Sequence, residues 1–270
     1  MISAIQFKDV TFQWKEEENL FTSLTLDLPR GITSFTGQNG SGKSTLMLLA
    51  GGRILPQAGE IFLNGKKTDE YYNEEERNLT ASFVYQNMEF ETEETGGALL
   101  EQIGERGNLG VDAPAILKEL TDALDLKDLL GRPLQNNSKG EMQRIISAFA
   151  LLYGSPILFM DEPFFAMEQK QKEKALEYIQ SYIHRREASL FISLHELELS
   201  TKYSDNTLLF YKDERMMLGE TGEVLVKENI EEAYQLPMDL LHSKENLYRE
   251  QLAKPASQLP EGLGQVKTID

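Results

Sequence analysis

The feature that most constrains this chain is a glycine-rich loop at residues 37–45, between an apolar run and a helical run. Residues 32–35 predict a strand, and residues 46–50 predict the start of a helix. The loop reads Gly-Gln-Asn-Gly-Ser-Gly-Lys-Ser-Thr and matches the G-x-x-x-x-G-K-[ST] pattern, in which backbone N–H groups wrap phosphate oxygens. A strand, this loop and a helix in that order predict an α/β fold with a phosphate site at the end of the strand.

This phosphate loop is expected to bind a nucleotide through nine residues: Gly37, Gln38, Asn39, Gly40, Ser41, Gly42, Lys43, Ser44 and Thr45. Lys43 would neutralise the β and γ phosphates, and Ser44 would place its hydroxyl on Mg²⁺. The loop alone does not separate ATPases from GTPases and small-molecule kinases. The sequence has no Asn-Lys-x-Asp motif for reading a guanine base, which disfavours a GTPase.

A second motif is the apolar run at 157–160, which ends in Asp161, Glu162 and Pro163. A buried parallel strand places such acids at its carboxyl end, where ligands of parallel sheets bind. Asp161 is therefore expected to hold Mg²⁺ through a water molecule, and Glu162 to orient and deprotonate the attacking water. A pair of acids that caps a helix is the alternative.

Strand and helix patterns alternate along most of the chain, as in an open parallel sheet. Short strands are expected at 2–12 and 24–28, a helix at 114–130 that stops before Gly131 and Pro133, and a closing hairpin at 207–226.

The strand and helix patterns run to the hairpin region, so we expect a main domain at 1–225, a limit that the family resemblance given below implies, and a polar C-terminal tail at 226–270. Residues 87–140 interrupt the strand pattern and predict a helical insertion within the main domain. The tail is expected to pack loosely.

Charge and composition exclude several classes of protein. The formal net charge is -17, from 44 acidic and 27 basic residues, so nucleic acid is not expected as a partner. The chain has no cysteine, which excludes disulfides and thiolate metal sites. No secretory signal and no apolar run of about 20 residues is found, so the chain is not expected to cross a membrane by itself.

Taken together, the motifs resemble those of the ABC transporter ATPases over residues 2–225. The resemblance implies a P-loop NTPase fold with a RecA-like core, an antiparallel β subdomain and an inserted α-helical subdomain, and it implies ATP and Mg²⁺ as ligands. Gln86 stands where that family has a glutamine that touches Mg²⁺ and the attacking water, and His195 where it has a histidine that contacts the γ phosphate. Trp14 aligns with an aromatic residue that stacks on adenine, although packing against the N-terminal sheet is the alternative.

Residues 137–144 occupy the place of the signature segment of that family, usually Leu-Ser-Gly-Gly-Gln, and match it in part. Ser138 and Gly140 retain the hydroxyl and the glycine that would face the γ phosphate held by a second subunit. Lys139 replaces a glycine, and Glu141 replaces a glutamine. The D-loop segment, residues 166–168, also departs from the family pattern, because Glu168 replaces an aspartate.

The resemblance implies a cytoplasmic ATPase subunit, held at the inner face of the membrane by an integral membrane permease. Two ATPase subunits, identical or different, would clasp ATP between one phosphate loop and the other signature segment. The sequence after Val224 is similar to the end of many importer ATPases and favours import. The alternatives are a weakly active regulatory half of a heterodimer, which Lys139 and Glu168 motivate, and a soluble ABC ATPase without a transport role.

Overall fold

The computed structural model describes residues 3–15, 19–86, 88, 90 and 92–241. Two sheets organise this part of the chain. Their strands are β1 (Ser3–Phe12), β2 (Phe21–Pro29), β3 (Gly31–Gly37), β4 (Ala58–Leu63), β5 (Lys66–Lys67), β6 (Ala81–Val84), β7 (Ile157–Asp161), β8 (Ser189–Ser193), β9 (Asn206–Phe210) and β10 (Met216–Glu220).

The smaller sheet is antiparallel, with four strands in the order β2-β1-β4-β5, and the larger has six in the order β10-β9-β3-β8-β7-β6. The five strands from β9 to β6 run parallel, and β10 closes the edge as an antiparallel hairpin with β9. This hairpin corresponds to the one expected at 207–226. The sheets confirm the α/β class and the antiparallel subdomain that the sequence predicted.

The helices of the described residues are α1 (Lys43–Ala50), α2 (Glu74–Thr80), α3 (Gly96–Arg106), α4 (Ala113–Ala123), α5 (Lys139–Tyr153), α6 (Gln169–Arg185), α7 (Leu197–Tyr203), α8 (Thr221–Val224) and α9 (Lys227–Tyr234). Helices α3 and α4 lie between β6 and β7 in the chain and pack against each other and against α5. They form the helical insertion, whose limits at 87 and 140 stay a prediction. None of the described helices is long and apolar enough to cross a membrane.

Aromatic rings hold the middle of the large sheet together. Phe83, Phe159 and Phe191 come from neighbouring strands, and their ring centroids lie 4.7 and 5.3 Å apart in stacked pairs. Phe35 continues the row on β3, at 6.2 Å from Phe191. Such pairs contribute about 0.5–1.5 kcal/mol each beyond the burial of their area. The carboxyl ends of the same strands therefore form a rigid edge, where the predicted site residues lie.

Two expectations about secondary structure need correction. The helix predicted at 114–130 ends at Ala123, and Asp125 has a positive φ of 50°. The chain turns there because Arg144 donates hydrogen bonds to the carbonyls of Leu124 and Asp125, so the later apolar residues are buried by a turn. The C-terminal tail is not loosely packed in its described part, because Ile230, Ala233 and Leu241 are buried. Residues 242–270 of the predicted tail lie outside the described residues.

Candidate nucleotide site

The phosphate loop joins the end of β3 to the start of α1. Glycine is required at Gly37, where a Cβ would lie 2.8 Å from the carbonyl oxygen of Phe210. It is also required at Gly42, the N-cap of α1, which has a φ of 94°. The first turn of α1 directs N–H groups without helical partners towards the loop, and these groups suit phosphate oxygens.

Lys43 occupies the centre of the loop. Its ammonium group donates hydrogen bonds of 2.8 Å to the carbonyl oxygens of Gly37 and Gln38. Burial lowers the pKa of Lys43, and the nearby charges of Glu162 and Asp161 oppose that shift. The loop is thus formed around its lysine, which could exchange these carbonyl partners for phosphate oxygens.

Asp161 and Ser44 provide oxygen ligands at the edge of the large sheet. Burial raises the pKa of Asp161 above its ordinary value, and hydrogen bonds from Ser44 and Ser193 only partly oppose this rise. The Oδ1 atom of Asp161 is buried and has no hydrogen-bond partner within the described structure. A hydroxyl and a carboxylate with an unsatisfied oxygen are the kind of donors that Mg²⁺ prefers, so these residues fit that ion.

Two of the four predicted catalytic residues contact one carboxylate oxygen of a third, Glu162. Oε2 of Glu162 accepts a hydrogen bond of 2.6 Å from Nε2 of Gln86 and lies 2.8 Å from Nε2 of His195. Glu162 has a positive φ of 50°, and its N–H donates to the carbonyl of Ser193. The ends of β6, β7 and β8 therefore bring together side chains that are distant in sequence.

Trp14 lies beside the phosphate loop and packs against the N-terminal sheet, and its stacking on adenine stays a prediction. Its ring packs edge-on against Phe12, with centroids 5.1 Å apart, and its Nε1 donates to Oγ1 of Thr45 at 3.3 Å. The side chain is still 42% exposed, and it lines a cavity of about 400 Å³. A flat aromatic surface beside the phosphate loop suits a nucleotide base.

The signature segment begins α5 and is organised by its own hydrogen bonds. Ser138 is the N-cap, and with Glu141 it forms a capping box in which each side chain accepts a hydrogen bond from the backbone N–H of the other. Arg132 also donates to Glu141, at 3.1 Å. Glu141 therefore stabilises the start of the helix, and Lys139 is exposed to solvent.

Gly140 lies against the D-loop segment of the same chain. A Cβ at this position would lie 2.6 Å from the carbonyl oxygen of Ala166. Gln143, one turn along α5, accepts a hydrogen bond of 2.9 Å from the N–H of Ala166. The structure therefore places the signature and D-loop segments in direct contact, a relationship that the sequence reasoning did not identify.

The sequence reasoning also missed a buried ion pair beside His195. Nζ of Lys172 on α6 donates a hydrogen bond of 2.6 Å to Oε1 of Glu196, and the two side chains are 9% and 8% exposed. The signal was present, since Lys172 shares the inward face of α6 with the buried residues Ala175, Leu176 and Ile179. A lysine on a buried helix face requires an acidic partner.

The chain is similar in sequence and in structure to known proteins. The sequence model of the family described as "ABC transporter" matches residues 21–165. A "Putative ABC transporter ATP-binding protein" of Pyrococcus horikoshii is 28% identical over 222 residues, which cover 81% of this chain and 84% of the relative. The "Molybdenum import ATP-binding protein ModC" of Pseudomonas fluorescens is 28% identical over 76% of this chain and 58% of its own length. A solved dimeric ATP-binding cassette, in a post-hydrolysis state with ADP and Pi, has a TM-score of 0.67 at 20% identity and covers 80% of this chain and 98% of its own.

Proposed function

This chain belongs to the ABC transporter family and is an ATPase subunit that binds and hydrolyses ATP, and we propose that this hydrolysis drives a separate membrane permease. The observation that carries the proposal is the position of Glu162, which accepts a hydrogen bond from Gln86 and contacts His195 at the strand edge that also holds Asp161. Phosphoryl transfer to water uses a general base and polar groups that position the water and the γ phosphate.

In the proposed mechanism, the phosphate loop binds the triphosphate and Lys43 donates hydrogen bonds to the β and γ phosphates. Ser44, Asp161 and Gln86 would hold Mg²⁺, which neutralises charge on the phosphate oxygens. Glu162 accepts a proton from water as the new bond between oxygen and γ phosphorus forms and the bond to ADP breaks. His195 contacts the γ phosphate, and Trp14 stacks on adenine.

We propose that the working unit is a dimer of two ATPase subunits, identical or different. Ser138, Lys139, Gly140 and Glu141 of one subunit would face the γ phosphate held by the other. The proposal is supported by the place of these residues at the N-terminus of α5, where the helix dipole favours an anion, and by the dimeric state of the solved cassette.

A groove beside Gln86 is the proposed contact with the permease. It is a cavity of about 450 Å³ between the large sheet and the helical insertion, and its lining includes the aromatic residues Phe83, Tyr85, Phe90, Phe149 and Tyr153. Glu74 and Glu94 also line it. Aromatic walls with acidic residues beside them fit an amphipathic helix that carries a basic residue. This contact would hold the chain at the cytoplasmic face of the membrane.

Import is the proposed direction, supported by the sequence after Val224 and by similarity to ModC, a molybdenum import protein. A weakly active half of a heterodimer is the second candidate, because Lys139 departs from the family signature and Glu168 from the family pattern of the D-loop. The contacts of Glu162 with Gln86 and His195 favour hydrolysis by the chain's own site instead.

The test combines nucleotide binding, assembly and transport. Lys43→Ala should abolish tight binding of Mg-ATP in calorimetry, because the loop loses its phosphate cation. Glu162→Gln should dimerise with ATP in size-exclusion chromatography, whereas the same variant carrying Lys43→Ala should stay monomeric. Co-expression with a permease encoded beside it, followed by ATP-dependent uptake into proteoliposomes, tests the transport role. A wild-type chain without Mg-dependent ATP binding would overturn the proposal.

A further inference from the structure

The side chain of Gln38 points out of the phosphate loop towards the C-terminal helix α9. Its Nε2 donates hydrogen bonds to the carbonyl oxygens of Ala233 and Tyr234, at 3.1 and 2.7 Å. These residues end α9, whose last carbonyls have no partners within the helix. Gln235, with a positive φ of 53°, stops the helix there. One amide group of the phosphate loop therefore caps the C-terminus of a helix about 195 residues later in the chain.

Helix α9 also packs beside the segment that follows His195. Ile230 is 1% exposed and forms an apolar cluster with Leu197 and Leu241. Leu197 begins α7, two residues after His195. One turn further along the same face of α9, Ala233 belongs to an apolar cluster with Leu209 of β9. Helix α9 therefore contacts both the phosphate loop and the segment that carries His195.

We propose that Gln38 is a positioning residue of the phosphate loop, and that its hydrogen bonds to α9 couple ATP binding to the packing of that helix. The inference rests on the proposed assignment of residues 37–45 to the phosphates. It concerns the side chain of Gln38, to which the proposed function assigns no role.

The mechanism follows from the two roles of Gln38. Its carbonyl accepts a hydrogen bond from Lys43, and its side chain donates to α9. When Lys43 turns to a phosphate, the carbonyls of Gly37 and Gln38 lose this donor. The contacts with α9 then hold Gln38 in place, so the bound state depends on them more than the free state does. Coupling of this kind is reciprocal, because ATP must stabilise α9 by the same factor by which α9 improves ATP binding.

Gln38→Leu in the full chain is the direct test, since leucine has a similar size, no charge and no donor. The Kd for Mg-ATP, measured by calorimetry, is expected to rise about three- to ten-fold, because the loss of two modest hydrogen bonds is partly offset in the free state. Glu228→Gln, on the exposed side of α9, is the matched control and should leave the Kd unchanged.

Hydrogen exchange separates positioning from a purely structural cap. ATP is expected to slow exchange of the amides at 227–234 in the wild type and to have little effect on them in Gln38→Leu. Ile230→Val, which loosens α9 without touching the loop, should raise the Kd in the wild-type background and have no further effect in Gln38→Leu.

An unchanged Kd in Gln38→Leu, or additive effects of the two substitutions, would overturn the inference while leaving the proposed function intact. If Gln38→Leu does not fold, hydrogen exchange of α9 in the wild type tests the coupling instead. Amide exchange in α9 that does not change when ATP binds would contradict the coupling. Failure of the wild type itself to bind Mg-ATP would instead contradict the proposed function.

Discussion

Gln86 donates a hydrogen bond of 2.6 Å to Glu162, and the two residues follow the neighbouring strands β6 and β7, 76 positions apart in sequence. His195 lies 2.8 Å from the same carboxylate oxygen. These two contacts orient the carboxylate and occupy one of its oxygens. A water molecule that uses this oxygen as a base must replace one of the two partners, which links hydrolysis to small movements of Gln86 or His195.

The first prediction concerns Glu162 as the general base. Glu162→Gln should lower ATP hydrolysis by about 10²–10⁴, the usual contribution of a general base. The Kd for Mg-ATP should stay near the wild-type value, because the amide has almost the same shape. Phosphate release measures the first quantity and calorimetry the second. Normal turnover in the purified variant would refute the assignment of Glu162.

The second prediction concerns pH and Asp161, whose pKa burial raises above its ordinary value. Mg²⁺ needs the carboxylate, so the Mg-dependent part of ATP affinity should fall as pH decreases through this raised pKa, earlier than for an exposed aspartate. Calorimetry in two buffers of different ionisation enthalpy should show proton release upon binding in that range.

Asp161→Asn is the control for the pH prediction. It should remove the effect of Mg²⁺ at every pH. Above the pKa of Asp161, the buried charge costs the free protein stability, because deprotonation is harder in the folded than in the unfolded state. The variant without nucleotide should therefore have a higher Tm than the wild type at neutral pH. A lower Tm there would contradict the explanation by burial.

The third prediction uses Trp14, the single tryptophan of the chain. ATP should change its fluorescence, because the exposed ring face lies beside the phosphate loop. Trp14→Ala should weaken ATP binding by about 1 kcal/mol or more, the usual contribution of a base stacked on an aromatic ring, whereas Trp14→Phe should retain most of the affinity. If saturating ATP leaves the emission unchanged while calorimetry shows binding, Trp14 only packs against Phe12.

The elements closest to strong local signals were predicted best. The phosphate loop and the acids at the carboxyl end of β7 lie where the sequence predicted them, because glycines and a buried apolar strand fix the backbone locally. The convergence of Gln86 and His195 on Glu162 depends on strand order, which only the resemblance to a family supplied. The role of each residue in catalysis stays a prediction.

The parts that could not be predicted are long-range contacts of polar side chains. The early end of α4 depends on Arg144. The packing of α9 depends on Gln38, which lies about 195 residues earlier in the chain. Neither contact leaves a periodic pattern, because a single polar group meets backbone carbonyls of a distant segment. The polar composition after residue 226 was therefore a poor guide to packing up to Leu241.

The fourth prediction concerns the contact between the signature and D-loop segments. Gly140→Ala should place a methyl group 2.6 Å from the carbonyl oxygen of Ala166, so one of the two backbones must move. We expect a loss of about 1–3 kcal/mol in the free energy of unfolding and lower ATP hydrolysis. Lys139→Ala, at the neighbouring exposed position, should leave stability within about 0.5 kcal/mol of the wild type. Equal stability of both variants, measured by urea unfolding, would contradict the close approach.

The fifth prediction concerns the buried pair of Lys172 and Glu196, which joins α6 to the residue after His195. Lys172→Met should lower the free energy of unfolding by about 3–5 kcal/mol, because it leaves the Glu196 charge buried without its cation. Lys172→Met with Glu196→Met should recover most of that loss, since two apolar side chains of similar volume need neither a counter-charge nor a hydrogen-bond partner. Urea unfolding of the singles and the double variant measures the coupling between them. Additive losses in the double variant would mean that the pair does not act as a unit, and His195 would then be held by other contacts.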